Sequence, residues 1–332
     1  MTDRLTLPPE RDFGFYQRRK HDAWRAVPAP EPALEASVVD THAHIHMLPD
    51  PAWELARCAA NGVGQVCEIC DPSEDELEPT TAIEQWRAAC AAYLAEKREA
   101  ADAASAGCSL TAQPPTVWMA AGVHPHNARL YDDAVEEKLL AWLAAPQVVA
   151  LGEIGLDYHY DLSPRDDQRR VFCRQIALAQ QLGLPVALHL RGGDDPQADD
   201  AHAEAFAILQ EEGFPPAGTL LHCCALPPDE LQPWIEAGCY IAYGGAITFK
   251  NGKAAREGAR LVPADYLLLE TDAPYMTPEP MRGAACTPAH VIFTAARLAE
   301  AREIAPGDER AQFLEQLAVN SQAFFTARRA LQ

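Results

Sequence analysis

One stretch decides the fold: Val148-Val149-Ala150-Leu151-Gly152, then a helical pattern over Pro164–Leu182, then Pro185-Val186-Ala187-Leu188-His189. Both flanking runs are apolar nearly throughout, as is expected of parallel strands that are buried on both faces. Ser163 is placed to cap a helix that begins with a proline, and Gly183 suits its end. The stretch therefore predicts a β-α-β unit with two parallel strands.

Eight short apolar runs of this kind occur from residue 38 onward, with helical segments between them. The runs are Val38–Thr41, Gly64–Ile69, Val117–Gly122, Val148–Gly152, Pro185–His189, Thr219–His222, Cys239–Tyr243 and Tyr266–Glu270. Eight strand-helix repeats predict an α/β protein with a (β/α)8 TIM barrel. The segment between the second and third runs, residues 71–116, is unusually long. We expect it to contain a barrel helix at about Thr80–Ala104 together with an insertion.

The first 37 residues precede the barrel pattern and show no steady periodicity. They form the one locally basic stretch of the chain, and Pro28, Pro30 and Pro32 are typical of a linker. We expect residues 1–37 to be an N-terminal extension, a solvated arm lying across the domain surface. Residues 38–328 would then form a single TIM-barrel domain of the metal-dependent hydrolase type.

The overall charge is strongly acidic, since 27 Lys and Arg against 48 Asp and Glu give a formal net charge of −21 over 332 residues. This argues against a protein that coats nucleic acid, because such proteins usually carry a basic face. It does not exclude a nuclease whose positive charge is a bound metal ion. No apolar run approaches the ~18 residues of a membrane span, and the N-terminus lacks the apolar core of a signal peptide. We expect a cytoplasmic protein, monomeric or weakly oligomeric, without a membrane partner.

Ten cysteines are scattered along the chain, unlike the dense pattern of a small disulfide-stabilised protein. Cys67 and Cys70 form a CxxC pair, but their segment has the pattern of a strand, in which residues three apart face opposite sides. We expect buried thiols there and not a zinc or redox site.

Histidines and acidic residues fall where the predicted strands end, and the active sites of such barrels lie at those carboxyl ends. Six of the eleven histidines and two acidic residues lie at these positions. The eight residues are His42, His44, His124, His126, Glu153, His189, His222 and Asp272. Imidazole and carboxylate ligands together suit Zn, Mn, Fe or Ni, and with more water also Mg. The pattern predicts a metal centre at the carboxyl end of the barrel.

Spacing suggests how the ligands are divided. The alternation in His42-Ala43-His44 directs both imidazoles to the same side of an extended chain, so this pair could hold one ion. His189 and His222 could hold a second, with Glu153 between them as a bridge.

Three further residues could act on the substrate. Asp272 could complete one ligand shell, orient the nucleophile and take its proton. His124 and His126 could hold a phosphate or protonate a leaving group. Alternatively, they are structural histidines in a turn made by Pro125.

Several motifs resemble the TatD-type metal-dependent deoxyribonucleases of the amidohydrolase-like superfamily. They are Asp40–His44, Gly122–His126, Gly152–Tyr158, Pro185–Arg191 and Leu269–Tyr275. The resemblance covers about residues 38 to 326. It implies a two-metal phosphodiesterase, typically an exonuclease on DNA and sometimes on RNA, with two divalent cations (Mg, Mn or Zn) as cofactor and single-stranded DNA ends as partner.

The resemblance also implies roles for individual residues. One ion would be held by His42, His44, Glu153 and Asp272, and the other by Glu153, His189 and His222. The catalytic residues would be Asp272, Glu153 and His124, and the substrate-binding residues His126 and Arg191. The planar guanidinium of Arg191 would meet a phosphate, although a salt bridge at the rim is an equal alternative.

Three places depart from the family pattern. His46 stands where the family has Asp, Cys224 stands where it commonly has Phe, and Cys286-Thr287-Pro288 replaces an Arg-Asn-x-Pro run. Whether His46 joins the site is open, and none of the departures touches the inferred ligands.

Two other classes of function are compatible with the barrel. One is an amidohydrolase-type lactonase, amidase or phosphotriesterase, although such enzymes often bridge their metals with a modified Lys where this chain has Glu153. The other is a non-catalytic metal-binding or scaffold protein, which the presence of Asp272 disfavours. The acidic charge weakly favours a small-molecule substrate. Local positive charge near the site could come from Arg191, Lys250, Lys253 and Arg282.

Overall fold

The computed structural model describes residues 8, 12–31, 33–103, 112–195 and 199–330. Parts of the predicted segments lie outside these residues: most of the start of the extension, Pro32 of the linker, and residues 104–111 of the insertion. No helix in the described ranges combines the length and the apolar character needed to cross a bilayer.

Eight parallel strands form a barrel in which each strand pairs with its neighbour in chain order. The ten strands of the described chain are β1 Phe15–Arg18, β2 Trp24–Val27, β3 Val38–Ala43, β4 Val63–Cys70, β5 Thr116–Ala121, β6 Val148–Asp157, β7 Val186–Arg191, β8 Thr219–Leu221, β9 Tyr240–Tyr243 and β10 Leu267–Leu269. The barrel consists of β3 to β10. Its seam is closed by a bridge between Ala43 and Ala273 and by Thr41 Oγ1, which donates to the Leu269 carbonyl at 2.9 Å.

An α-helix follows every barrel strand, and one more ends the described chain. These helices are α1 Pro51–Ala60, α2 Pro79–Ala103, α3 Asp133–Leu143, α4 Arg165–Leu182, α5 Ala201–Glu212, α6 Pro228–Glu236, α7 Lys253–Leu261, α8 Val291–Ala301 and α9 Asp308–Ala330. The predicted (β/α)8 barrel is confirmed with all eight of its strands. The expected helix between the second and third strands corresponds to α2.

The strands are apolar on both faces because each face meets a different apolar layer. In β5, Val117 and Met119 pack toward the helices, whereas Trp118 and Ala120 belong to a second cluster inside the barrel. Both layers exclude water, so strict alternation of polar and apolar residues is absent from these strands.

The CxxC pair follows the same alternation. Cys67 lies in the interior cluster and Cys70 in the outer one, as predicted for strand residues three apart. Both thiols are buried and free, and burial raises the pKa of each well above its usual value.

Helix α9 closes the amino end of the barrel. Phe324 and Phe325 are buried in the interior cluster, and the Phe325 ring lies 4.9 Å from the Trp118 ring. Asn320 Nδ2 donates to the Leu267 carbonyl at the start of β10, at 2.9 Å. In the described part of the chain the amino end of the barrel interior is therefore filled by side chains of α9, which leaves the carboxyl ends of the strands for a ligand.

Truncation of a side chain of α9 that fills the amino end of the barrel should destabilise the fold. Phe324→Ala removes a fully buried ring, and we expect the free energy of unfolding to fall by about 3–5 kcal/mol. Urea unfolding followed by circular dichroism measures the change. Val319→Ala, on the same helix but 60% exposed, is the matched control and should stay within about 0.5 kcal/mol. Equal effects of the two substitutions would contradict this role of α9.

The extension contains a β-hairpin that the sequence analysis missed. Strands β1 and β2 pair antiparallel. Phe15 is buried and packs edge-on against Phe293 of α8, with ring centroids 4.9 Å apart, and Arg57 of α1 donates to the Gly14 carbonyl at 2.7 Å. The segment lies against the domain surface as expected, and most of its strand residues are partly or fully exposed. The expectation of a solvated arm is wrong for Phe15 and Val27, which are buried. The strands themselves were missed because four residues are too few to show a periodic pattern. The domain boundary at residue 37 stays a prediction.

The predicted cap of α4 is also wrong. The helix begins at Arg165, and no described side chain caps it. Ser163 Oγ donates instead to the His126 carbonyl at 2.6 Å and accepts from Arg129 N at 3.1 Å, tying down the loop after β5. The predicted end at Gly183 is confirmed by its left-handed conformation, with φ of +63°.

Glu35 connects the segment before the barrel to α9. Its carboxylate accepts hydrogen bonds from Arg310 Nε and Nη2 at 2.6 and 2.7 Å. The Arg310 side chain lowers the pKa of Glu35 from 4.5 to about 2. The pKa of Glu35 is thus lower in the folded than in the unfolded chain. The ion pair therefore contributes its full stabilisation at pH values above the pKa of the unfolded chain. This stabilisation is lost as the pH falls toward the pKa of Glu35 in the folded chain.

Glu35→Gln should therefore lower the thermal midpoint at neutral pH, and the difference from wild type should shrink as the pH falls below 4.5. Thermal unfolding at a series of pH values measures it. A difference that stays constant with pH would contradict the ion pair.

Candidate metal centre

Glu153, within β6, lies between two pairs of histidines. Its Oε1 is 2.6 Å from His189 Nδ1 and 3.1 Å from His222 Nε2. Its Oε2 is 3.4 Å from His42 Nε2 and 3.8 Å from His44 Nε2. The two oxygens of one carboxylate are thus divided between two sets of imidazole nitrogens, and each set is compact enough to hold an ion.

Asp272 completes the half of the centre formed by β3. Its Oδ1 lies 3.9 Å from His42 Nε2 and 3.7 Å from His44 Nε2. Its backbone N donates to the His42 carbonyl at 2.9 Å across the barrel seam. The structure therefore brings all six predicted ligands together, while their role as ligands stays a prediction.

The donor set fits a divalent metal ion. His42 is fully buried, and neither of its ring nitrogens has a hydrogen-bond partner among the described residues. Burial lowers the pKa of His42, so its ring is neutral and offers a lone pair. The ring stacks on His222 with centroids 3.7 Å apart, which fixes its direction. Buried polar atoms are rarely left unsatisfied, and an ion at this position would satisfy the His42 nitrogen that faces Glu153.

The carboxylate between the imidazoles is ionised. Burial raises the pKa of Glu153, but the surrounding imidazoles, led by His222, lower it by more, and the result lies well below its usual value. An anionic Glu153 can share its charge between two cations.

Two outer carboxylates orient the histidines, and sequence reasoning assigned them no role. Asp157 Oδ2 lies 3.0 Å from His189 Nε2 and 2.9 Å from His126 Nε2. Glu270 Oε2 lies 3.3 Å from His222 Nδ1. Each carboxylate holds one ring nitrogen, so that the other nitrogen of His189 and of His222 is aimed at Glu153.

A third buried acid joins the two ends of the barrel sheet. Asp40 in β3 accepts from Thr271 Oγ1 at 2.6 Å and from Thr271 N at 2.9 Å, directly before Asp272. The sequence signal for such residues is an acidic side chain in or directly after an otherwise apolar strand, and Asp157 and Glu270 share it.

His124 and His126 face different partners. His124 Nε2 is 3.9 Å from Glu153 Oε1, and its Nδ1 accepts from His126 N at 3.1 Å. Because Nδ1 is an acceptor, the neutral ring carries its proton on Nε2, which faces the centre. Burial, with the neighbouring His189, lowers the pKa of His124 well below its usual value, so the ring is neutral. His126 is instead held by Asp157 at the edge of the centre.

Arg191 ends β7 beside the centre. Its guanidinium lies over the Tyr160 ring, 4.6 Å from the centroid, and it forms no ion pair with a carboxylate of the described ranges. The alternative of a rim salt bridge therefore finds no support in the described part of the chain. Lys253, also expected to supply positive charge, instead pairs with Glu257 at 3.5 Å.

His46 does not face Glu153. Its Nδ1 bonds to the Glu68 carboxylate, and its Nε2 lies 3.2 Å from Asp75 Oδ1. Burial lowers its pKa, but Asp75 and Glu68 together raise the pKa of His46 to about 10. It is therefore a cation between two carboxylates. This cluster lies beside the centre, with the His46 ring 6.2 Å from that of His44.

Comparison with known proteins agrees with this geometry. The family model described as TatD related DNase matches residues 39–326. The uncharacterized metal-dependent hydrolase YabD of Bacillus subtilis (strain 168) is 40% identical over 192 residues, 57% of this chain and 71% of that protein. The 3'-5' ssDNA/RNA exonuclease TatD of Pantoea vagans (strain C9-1) is 40% identical over 172 residues, 52% of this chain and 63% of that protein.

A solved structure extends the agreement to the fold. The crystal structure of YJJV, a TatD homolog from Escherichia coli K12, superimposes with a TM-score of 0.67 at 25% identity and covers 87% of this chain and 98% of its own. The barrel, its centre and these relatives define a (β/α)8-barrel hydrolase of the metal-dependent class. More particularly, the chain belongs to the TatD-related DNase family.

Loss of an outer carboxylate should weaken metal binding. Asp157→Asn removes the charge that fixes the His189 ring, and we expect the affinity for Zn or Mn to fall about 10- to 100-fold. Isothermal titration calorimetry on metal-free protein measures it. Asp167→Asn, at an exposed ion pair on α4, is the control. If both variants bind metal as wild type does, Asp157 does not position a ligand.

Proposed function

We propose that this protein hydrolyses phosphodiester bonds at the ends of single-stranded nucleic acid with two divalent metal ions. The division of the Glu153 oxygens between two histidine pairs carries the proposal, because a carboxylate so placed can bridge two cations. The name of the Pantoea vagans relative supports the substrate class and a 3'-5' direction of digestion.

Each ion would have its own ligands around the shared carboxylate of Glu153. One would be held by His42, His44 and Asp272, and the other by His189 and His222. When bound, divalent cations in this centre would act as Lewis acids that polarise phosphoryl oxygens and lower the pKa of water. The four imidazoles favour Zn over Mg, which prefers oxygen ligands.

Asp272 would accept the proton of the attacking water. Burial raises its pKa, but the neighbouring imidazoles, led by His44, lower the pKa of Asp272 below its usual value, so it is a base at neutral pH. The water oxygen bonds to phosphorus and the bond to the leaving alcohol oxygen breaks. That oxygen receives the proton that Asp272 has taken.

The substrate phosphate would be held by groups on the opposite side of the centre. The neutral His124 would donate from Nε2 to a phosphoryl oxygen that gains charge in the transition state. His126 and Arg191, which lie around the ring of Tyr160, would contact the neighbouring phosphate.

Hydrolysis of end-labelled single-stranded DNA tests the proposal. The protein is stripped of metal and reloaded separately with Mg, Mn or Zn. We expect a ladder of products only with metal, and a rate about 100-fold or more lower for Glu153→Gln, which loses the shared negative charge. Glu211→Gln, an exposed carboxylate on α5, is the matched control and should digest DNA as wild type does.

The position of the label gives the direction of digestion. No cleavage of DNA or RNA by a protein that holds two ions would contradict the proposed substrate and point to a small ester, lactone or amide. Unchanged cleavage by Glu153→Gln would contradict the assignment of the centre.

A further inference from the structure

Two large aromatic side chains at the carboxyl end of the barrel are exposed. Tyr160, after β6, is 54% exposed, and Tyr275, after β10, is 51% exposed. Neither ring is needed to fill the core. Each ring lies beside a histidine of the candidate metal centre, and about half of each side chain is exposed to whatever enters it.

Tyr160 is fixed to the phosphate side of the centre. Its ring stands perpendicular to that of His126 with centroids 5.5 Å apart, and the Arg191 guanidinium covers one part of it. Its backbone N donates to Asp157 Oδ1 at 2.8 Å, and the other oxygen of this carboxylate holds His189. The position of the ring is therefore tied to that of the ligands.

Tyr275 is fixed to the other side. Its ring lies 6.0 Å from that of His44, and its backbone N donates to the Asp272 carbonyl at 2.7 Å. Its hydroxyl lies 3.8 Å from Sδ of Met47, which is itself exposed. The position of its ring is therefore tied to Asp272 and to the half of the centre formed by β3.

We infer that Tyr160 and Tyr275 are base-stacking residues, which hold the unpaired bases next to the bond that is cleaved. This inference rests on the proposed function and adds to it the basis of substrate choice. Every nucleobase has an aromatic face, so stacking is tolerant of sequence. In a duplex the faces are covered by neighbouring bases, and paired ends should be poor substrates.

The charge of the chain points the same way. With a net charge of −21, the protein cannot rely on neutralising many phosphates. Arg191 beside the centre and Arg282 in the segment after β10 both lie over aromatic rings, and Arg282 is 3.9 Å from the Phe249 centroid. Two phosphate contacts of this kind correspond to a slope of about −1.4 in a plot of log affinity against log salt concentration, and base stacking would add binding energy that does not depend on salt.

Steady-state kinetics of the metal-loaded, full-length protein on single-stranded DNA test the inference. For Tyr160→Ala and for Tyr275→Ala we expect KM to rise about 5- to 150-fold with kcat nearly unchanged, because a stacked base is held equally in the ground and transition states. Tyr160→Phe and Tyr275→Phe keep the ring and should restore KM. Tyr266→Ala is the matched control, since Tyr266 is also exposed but lies at the amino end of the barrel.

A second substrate separates stacking from a general loss of structure. It has the same backbone, but tetrahydrofuran replaces the sugar and base of the two nucleotides at the digested end. On this substrate the KM of wild type should be higher than on ordinary DNA. The KM of each alanine variant should then equal that of wild type, because there is no base left to stack.

The outcomes separate the two proposals. If wild type digests DNA and the alanine variants have the same KM, stacking is wrong and the proposed function stands. The same holds if the alanine substitutions raise KM by the same factor on both substrates. If wild type digests no nucleic acid with any of the metals, both proposals fall.

Discussion

A buried carboxylate among four imidazoles is the constraint on which the rest of the centre depends. Glu153 is only 4% exposed and ionised, and a buried charge is costly unless it is paired and hydrogen-bonded. Its Oε1 is held by His189 and His222; burial lowers the pKa values of these two histidines, but neighbouring carboxylates raise them by more. Its Oε2 faces His42, whose ring burial keeps neutral, so the proposed cations would balance the negative charge on that side.

The barrel supplies the rigidity that such a centre needs. The candidate ligands come from strands that are far apart in sequence but end at the same rim, and the seam between β3 and β10 is held by Asp40 and Thr271. Outer carboxylates then fix the imidazole rings, with Asp157 on His189 and Glu270 on His222. An ion bound as proposed would enter a set of side chains already in position, so little conformational entropy would be lost on binding.

An acidic chain that acts on a polyanion must concentrate its positive charge. Here the bound ions, Arg191 and Arg282 would provide it, while the exposed rings of Tyr160 and Tyr275 would add binding energy that does not depend on charge. The net charge of −21 therefore does not conflict with a nucleic-acid substrate, provided that the substrate presents unpaired bases.

The sequence by itself determined the barrel and the positions of the candidate ligands. Continuous apolar runs specify strands covered on both faces, and the carboxyl ends of parallel strands must meet, so His42, Glu153 and Asp272 could be placed at one rim without coordinates. Only the tertiary structure decided which ring nitrogen faces the centre, that Asp157 orients His189, that His46 turns to Glu68, and that Phe15 packs on the barrel. The reason is physical: periodicity records which side of an element is buried, whereas a hydrogen bond or a ring contact between distant segments depends on distances that exist only after the chain has folded.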